Sequence, residues 1–313
     1  MRAWQRRREA VKDALASSAD TGRRRMAGGL RCFFNTPTIE PPANRAFLER
    51  PIVIIAIFLA LSLLVMWTAD YPLGIWMKSF PAQLRGTAKW ISSLGTGLLV
   101  LSFSGALLIF AILAPAHKLR KSMRTGADLI ATAAAFVFLA VAGGGIVDSL
   151  AKNIIGRARP ELLDMNGAFF FRPFAFHADF ASFPSGHSAT AGAMAMSLAL
   201  VFPRLRPVFM PLGILICLSR QWVGAHWASD TLMGWGVGVA FALGLAHAFA
   251  RRRLLFAYDA NGRLCPGEQY KAVLAVLRAL IRRMPFIGKK TLPAAKSCPA
   301  QAPLESRAFE IRS

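Results

Sequence analysis

Three short stretches of this 313-residue chain carry side chains able to handle a phosphoryl group. The first holds Lys152, Arg159 and Pro160, the second is Pro184-Ser185-Gly186-His187, and the third runs from Ser219-Arg220 through His226 to Asp230. Lys152, Arg159 and Arg220 offer positive charge and directional donors to a group with several anionic oxygens, and arginine can grip phosphate through two parallel bonds. Pro184 stands before a run of small and apolar residues and predicts a helix start, because proline in a first helical turn forfeits no hydrogen bond. The unpaired amides near Ser185 and Gly186 then form an anion site, and glycine lets an oxyanion approach the backbone closely. Asp230 follows His226 by four residues, so the two side chains can meet on one helix face. The carboxylate would fix the imidazole tautomer and stabilise its cationic form, leaving the other ring nitrogen to attack. His187, arriving from a different helix, is placed to protonate the departing oxygen.

The elements that must hold these residues are membrane helices. Apolar residues make up 55% of the chain and its mean hydropathy is +0.42, both above the range of ordinary globular domains. Residues 51–69 form a nearly uncharged run of bilayer length, too long and too far from the start for a signal peptide. A connecting stretch with Asp70, Lys78, Arg85 and Lys89 follows, and its tryptophans Trp67, Trp76 and Trp90 suit a membrane interface. Further spans are expected at about 94–115, 129–150, 183–203, 207–223 and 228–250. Gly143-Gly144-Gly145 in the third and Gly234 with Gly238 in the sixth allow close helix contact. The expected fold class is therefore all-α, a polytopic membrane protein with six transmembrane helices.

The flanks differ. Residues 1–50 read as a basic cytoplasmic arm, residues 51–250 as the membrane domain, and residues 251–313 as a basic cytoplasmic tail. Within the tail, 269–284 shows the pattern of an amphipathic helix able to lie on an anionic membrane. Placing both termini in the cytoplasm puts 30 of the 38 Lys and Arg residues inside, as the positive-inside rule requires. That distribution explains the formal charge of +22 without a nucleic-acid partner. In this topology spans three and five end, and spans four and six begin, on the outer face. All the polar residues named above collect there, and ionisable groups at membrane depth mark function.

These residues resemble the type 2 phosphatidic acid phosphatase family of membrane lipid phosphatases. Its three-part signature is present without a gap: lysine, six residues, Arg159-Pro160; then PSGH at 184–187; then Ser219-Arg220, five residues, His226, three residues, Asp230. The resemblance covers about residues 50–250. It implies that His226 becomes phosphorylated, that His187 is the acid and that Asp230 orients the nucleophile. It further implies that Lys152, Arg159, Arg220, Ser185 and Gly186 bind the phosphoryl group, with no metal and no cofactor. The expected activity is hydrolysis of a phosphomonoester or diphosphate on an envelope lipid at the periplasmic face of a bacterial inner membrane. Candidate substrates are lipid A, phosphatidylglycerophosphate or phosphatidate, and a polyprenyl diphosphate, with the aromatic loop favouring a large envelope lipid.

Rival readings use the same residues. A phosphohistidine could pass its phosphoryl group to another lipid rather than to water. A transporter of phosphorylated lipid would also need cations, though transporters place their site near the bilayer midplane on broken helices. A metal hydrolase is disfavoured, because the outer acids Glu161, Asp164, Asp179 and Asp230 are not spaced with histidines as ligands. Asp148, four residues before Lys152, reads as an ion pair that positions the lysine, while Arg157 is a further cation within the first motif whose role the sequence leaves open. His177 reads as a solvated loop residue, and His117 and His247 as interface residues on the inner side. The seven phenylalanines between Phe169 and Phe183 fit interface packing or an acyl-chain surface equally. Cys32, Cys217, Cys265 and Cys298 show no paired spacing, so no disulfide is expected.

Overall fold

The computed structural model describes residues 39–42, 45–113, 121–268 and 270. Among these residues the membrane region is mostly helical: α1 (Pro51–Thr68), α2 (Asp70–Lys78), α3 (Ala82–Leu94), α4 (Leu98–Leu113), α5 (Lys121–Ile155), the single-turn α6 (Leu163–Asn166), α7 (Gly186–Val201), α8 (Arg206–Trp222) and α9 (Ala228–Arg251). Four stretches among the described residues are long and apolar enough to cross a membrane: Pro51–Thr68, Ala82–Ala111, Gly126–Ile155 and Ala228–Arg251. The expected amphipathic helix at 269–284 and most of the N-terminal arm lie outside the described residues.

α9 is the centre of the bundle, packed against α7, α1, α5 and α8. Glycines make the approach possible. A Cβ at Gly238 would lie 2.0 Å from the Ala189 carbonyl oxygen of α7, and one at Gly143 of α5 would lie 2.2 Å from the Phe241 ring of α9. Both small-residue patterns therefore mark real contacts. α7 is lined with alanines, and Ala189, Ala191, Ala193 and Ala199 are fully buried. α7 and α8 have 16 and 17 residues, short of the about 20 of a full span. By contrast α1 turns Leu59, Leu61, Leu63, Leu64 and Trp67 outward, an apolar exterior suited to lipid. Ser62, its buried polar residue, donates to the Ser229 carbonyl oxygen at 3.1 Å where α1 meets α9.

Four local features differ from the expectations. α7 begins at Gly186 with Ser185 as its N-cap, so Pro184 precedes the helix instead of opening it, and the Phe183–Pro184 peptide is cis. The chain leaving α9 makes a two-stranded antiparallel hairpin, β1 (Phe256–Tyr258) and β2 (Leu264–Pro266), in a molecule expected to be all-α. Its turn has a clear local cause: Asp259 Oδ1 accepts from the Asn261 and Arg263 amides, and Gly262 takes φ 71°. Cys265 is disulfide-bonded, with its partner outside the described residues, whereas Cys217 is free and buried. His247 is a buried tie rather than an interface residue; its Nε2 lies 2.7 Å from the Glu49 carbonyl oxygen and its Nδ1 3.0 Å from the Tyr258 hydroxyl.

Candidate active site

His226 lies in the short link before α9, and Asp230 in that helix's first turn. Asp230 Oδ2 accepts the Trp227 amide at 2.9 Å, satisfying one of the unpaired donors of a helix start. The same oxygen accepts the Ser182 hydroxyl at 2.5 Å. Its distance to His226 Nδ1 is 3.7 Å, an ion-pair separation too long for a hydrogen bond. His226 Nδ1 instead sits 2.9 Å from the Ser182 carbonyl oxygen. A carbonyl can only accept, so Nδ1 carries the proton and Nε2 keeps its lone pair. The expected tautomer is present, but the atom that fixes it is a backbone oxygen, and Asp230 acts beside it through its charge.

Burial holds the His226 imidazole below its ordinary range; the nearby Asp230 carboxylate pulls it back up, and Arg220 and Arg159 push it further down. The ring is thus neutral near neutral pH, the state a nitrogen nucleophile needs.

Arg157 is the residue the sequence left without a role. Gly156, at φ 68°, ends α5 and turns the chain so closely that a Cβ there would lie 1.8 Å from the Arg172 carbonyl oxygen. The next residue, Arg157, is fully buried. Its two terminal nitrogens donate to Asp230 Oδ1 at 2.6 Å, Ser229 Oγ at 2.7 Å, Asp70 Oδ2 at 2.8 Å and the Ala168 carbonyl oxygen at 2.8 Å. Trp227 covers the guanidinium, with its ring centre 5.2 Å away. Asp70, at the start of α2, is also fully buried and accepts from the Ser229 amide at 3.0 Å and from the Ser229 hydroxyl. One signal pointed to Asp70: it is the single acid between Arg50 and Asp128.

The cationic side is assembled from three helix ends. Lys152 lies 3.9 Å from Asp148, the expected ion pair at the end of α5. Both face the start of α7, where a Cβ on Gly186 would meet Asp148 Oδ2 at 3.1 Å and Lys152 Nζ at 3.4 Å. Arg220, near the end of α8, is anchored by the Ser92 hydroxyl of α3. Arg159 Nε donates to the Ala178 carbonyl oxygen at 2.8 Å. The positive charges of Arg220, Lys152 and Arg159 all act on His187, and His226 neighbours it. One expected donor is committed elsewhere: the Ser185 amide donates to the Asp230 carbonyl oxygen at 3.0 Å, so the anion-facing amides of α7 start at Gly186. His177 stays exposed beside Asp179, outside this cluster.

Residues 133–254, which span all three motifs, match the model of the PAP2 superfamily. A lipid A 1-phosphatase of Rhizobium johnstonii is 36% identical over 202 residues, covering 64% of this chain and 81% of that enzyme. The chain belongs to the PAP2 superfamily. An undecaprenyl-diphosphatase of Sulfolobus acidocaldarius is 26% identical over 158 residues, covering 50% of this chain and 66% of that one. The crystal structure of a transmembrane PAP2-type phosphatidylglycerolphosphate phosphatase from Bacillus subtilis aligns with 64% of this chain and 95% of its own, at TM-score 0.45 and 21% identity. Relatives that act on phosphorylated lipids, together with the membrane-length helices, make this PAP2 protein a membrane lipid phosphatase. Asp70 lies outside the stretch that the PAP2 model matches, although it is built into the same buried network as Asp230.

Proposed function

We propose that this protein removes the 1-phosphate of lipid A, or of an envelope lipid of that class, through a phosphohistidine on His226. The observation that carries the reading is the engagement of His226 Nδ1 by the Ser182 carbonyl oxygen, which leaves Nε2 unprotonated among cations. Nε2 attacks phosphorus, the bond from phosphorus to the lipid oxygen breaks, and the leaving oxygen takes a proton from His187. His187 then takes a proton from water as that water attacks the phosphoryl group, phosphate departs and Nε2 regains its lone pair. Lys152, Arg159, Arg220 and the amides from Gly186 hold the phosphoryl oxygens, with Ser185 as the cap that sets where α7 begins. No metal or cofactor enters these steps. Among the described residues no three His, Cys, Asp or Glu side chains converge as metal ligands.

The lipid class rests on the 36% identical relative and on the loop beyond α5, where Phe169, Phe170, Phe171, Phe174 and Phe176 are exposed beside the cations. The topology proposed is six spans over residues 51–250, the two short ones being α7, largely enclosed by protein, and α8, which turns Val208, Leu212 and Ile214 outward. Both termini are cytoplasmic, with residues 1–50 and 251–313 as basic flanks and the site at the periplasmic face of an inner membrane. The test is phosphate release by purified protein from lipid A and, in parallel, from undecaprenyl diphosphate and phosphatidylglycerophosphate, with and without chelator. Release from lipid A that resists EDTA and vanishes in His226→Ala is expected. Activity surviving that substitution would refute the phosphohistidine, and preference for the diphosphate would move the substrate to a polyprenyl carrier.

A further inference from the structure

The buried network behind His226 contains an odd number of charges. Asp70, Arg157 and Asp230 are all fully buried. Arg157 bridges the two acids at 2.8 Å and 2.6 Å. Asp70 accepts from Ser229 and Arg157, and Asp230 accepts from Arg157, Ser182 and Trp227. The Ser229 hydroxyl proton points to Asp70, because its oxygen accepts from Arg157. Every polar contact on the two carboxylates is thus an incoming donor, the pattern of two ionised acids. The three groups sum to one negative charge.

That charge has an evident counterpart. When His226 Nε2 bonds to phosphorus the ring becomes cationic while Nδ1 keeps its proton, and Asp230 Oδ2 stands 3.7 Å from Nδ1. Apart from Asp230, the charges acting on the ring are positive, Arg220 from α8 and Arg159 in the loop after α5; His187 on α7 also neighbours it, and Lys152, paired with Asp148, stands beyond His187. A lone Arg157 would neutralise Asp230 and leave the imidazole cation unsupported among those cations. We propose that Asp70 is a positioning residue for phosphoryl transfer: it cancels Arg157, and so leaves the charge of Asp230 to the His226 ring. The inference rests on the phosphohistidine reading. The rival is a structural staple, in which Asp70 merely ties α2 to α9.

A pH profile separates the two, because an acid limb in kcat/KM reports the free enzyme's nucleophile. In Asp70→Asn the network falls to zero net charge. The limb should then move about one pH unit lower and kcat should drop about tenfold, as expected for one nearby charge. Asp70→Asn combined with Arg157→Gln restores a single negative charge on Asp230, and the limb should return to the wild-type position. Ser62→Ala removes another tether to Ser229 without altering charge, and should leave the limb in place. An unmoved limb in Asp70→Asn, or a double variant displaced further than the single one, overturns the proposal. Should Asp70→Asn fail to fold, the double variant decides alone: a limb away from the wild-type position overturns it. Loss of the phosphohistidine reading would be seen separately, as wild-type-like turnover in His226→Ala.

Discussion

Replacing Arg157 with methionine removes a cation that four hydrogen bonds hold between two buried carboxylates. Methionine fills much of the volume beside Trp227 and Phe171, so the loss is electrostatic rather than steric. Breaking a buried pair by removing one partner costs about 3–5 kcal/mol, because the remaining charge is stranded away from water. At roughly 2–4 °C per kcal/mol for a domain of this size, Tm should fall by about 10 °C. The sign of the pH dependence is distinctive. Burial already raises the Asp70 carboxyl above its ordinary range, and Ser229 and Arg157 pull it back. Without Arg157 the folded protein takes up a proton on Asp70 at a higher pH than the unfolded chain does, and folding gains stability as pH falls through that raised value. The variant should therefore lose less against wild type at pH 5 than at pH 8. Thermal unfolding of both proteins in detergent at the two pH values is the assay. A Tm loss below about 3 °C, or one equally large at pH 5, would refute the assignment of Arg157 as the cation bridging the two acids.

Three other outcomes follow from single distances or shifts. Because burial lowers His226 below 6.5, the acid limb of kcat/KM should lie below pH 6.5, and a limb above it in steady-state profiles would contradict a buried neutral nucleophile. His187→Ala should reduce kcat about 10²–10⁴-fold on lipid substrate and far less on an aryl phosphate, whose leaving group needs no proton; equal losses on both would remove His187 from the acid role. Gly238→Val should cost several kcal/mol, since its Cβ would fall 2.0 Å from the Ala189 carbonyl oxygen, whereas Gly244→Ala, with Pro51 at 3.6 Å, should be nearly neutral in the same melting assay.

What the sequence revealed divides along a physical line. Spans with uninterrupted apolar runs were legible because lipid demands them: α1 and α9 match two of the expected spans within a residue, and α5 contains a third but overruns it at both ends. Lys152, His187, Arg220, His226 and Asp230 were legible because charged residues at helix ends inside a hydrophobic chain need a reason to be there. Contacts through backbone atoms were not: the Ser182 carbonyl that fixes the His226 tautomer, and the Asp230 carbonyl that takes the Ser185 amide, have no residue type to announce them. The hairpin at 256–266 has a local signal in Asn261-Gly262, which reading residues 251–313 as a basic tail passes over.

Asp70 belongs to neither group. It was visible as a lone carboxylate after a span, yet a connecting segment rich in tryptophan offered interface solvation as sufficient explanation. Only burial overturns that explanation, since an acid with no exposed surface must be matched by a cation. Once Arg157 is identified as that cation, a second acid is required as well, because one carboxylate would satisfy the arginine and leave the nucleophile's own carboxylate without effect. The extra arginine of the first motif and the lone acid of the connecting stretch thus account for each other, and both lead back to the charge that the proposed phosphohistidine would place on the His226 ring.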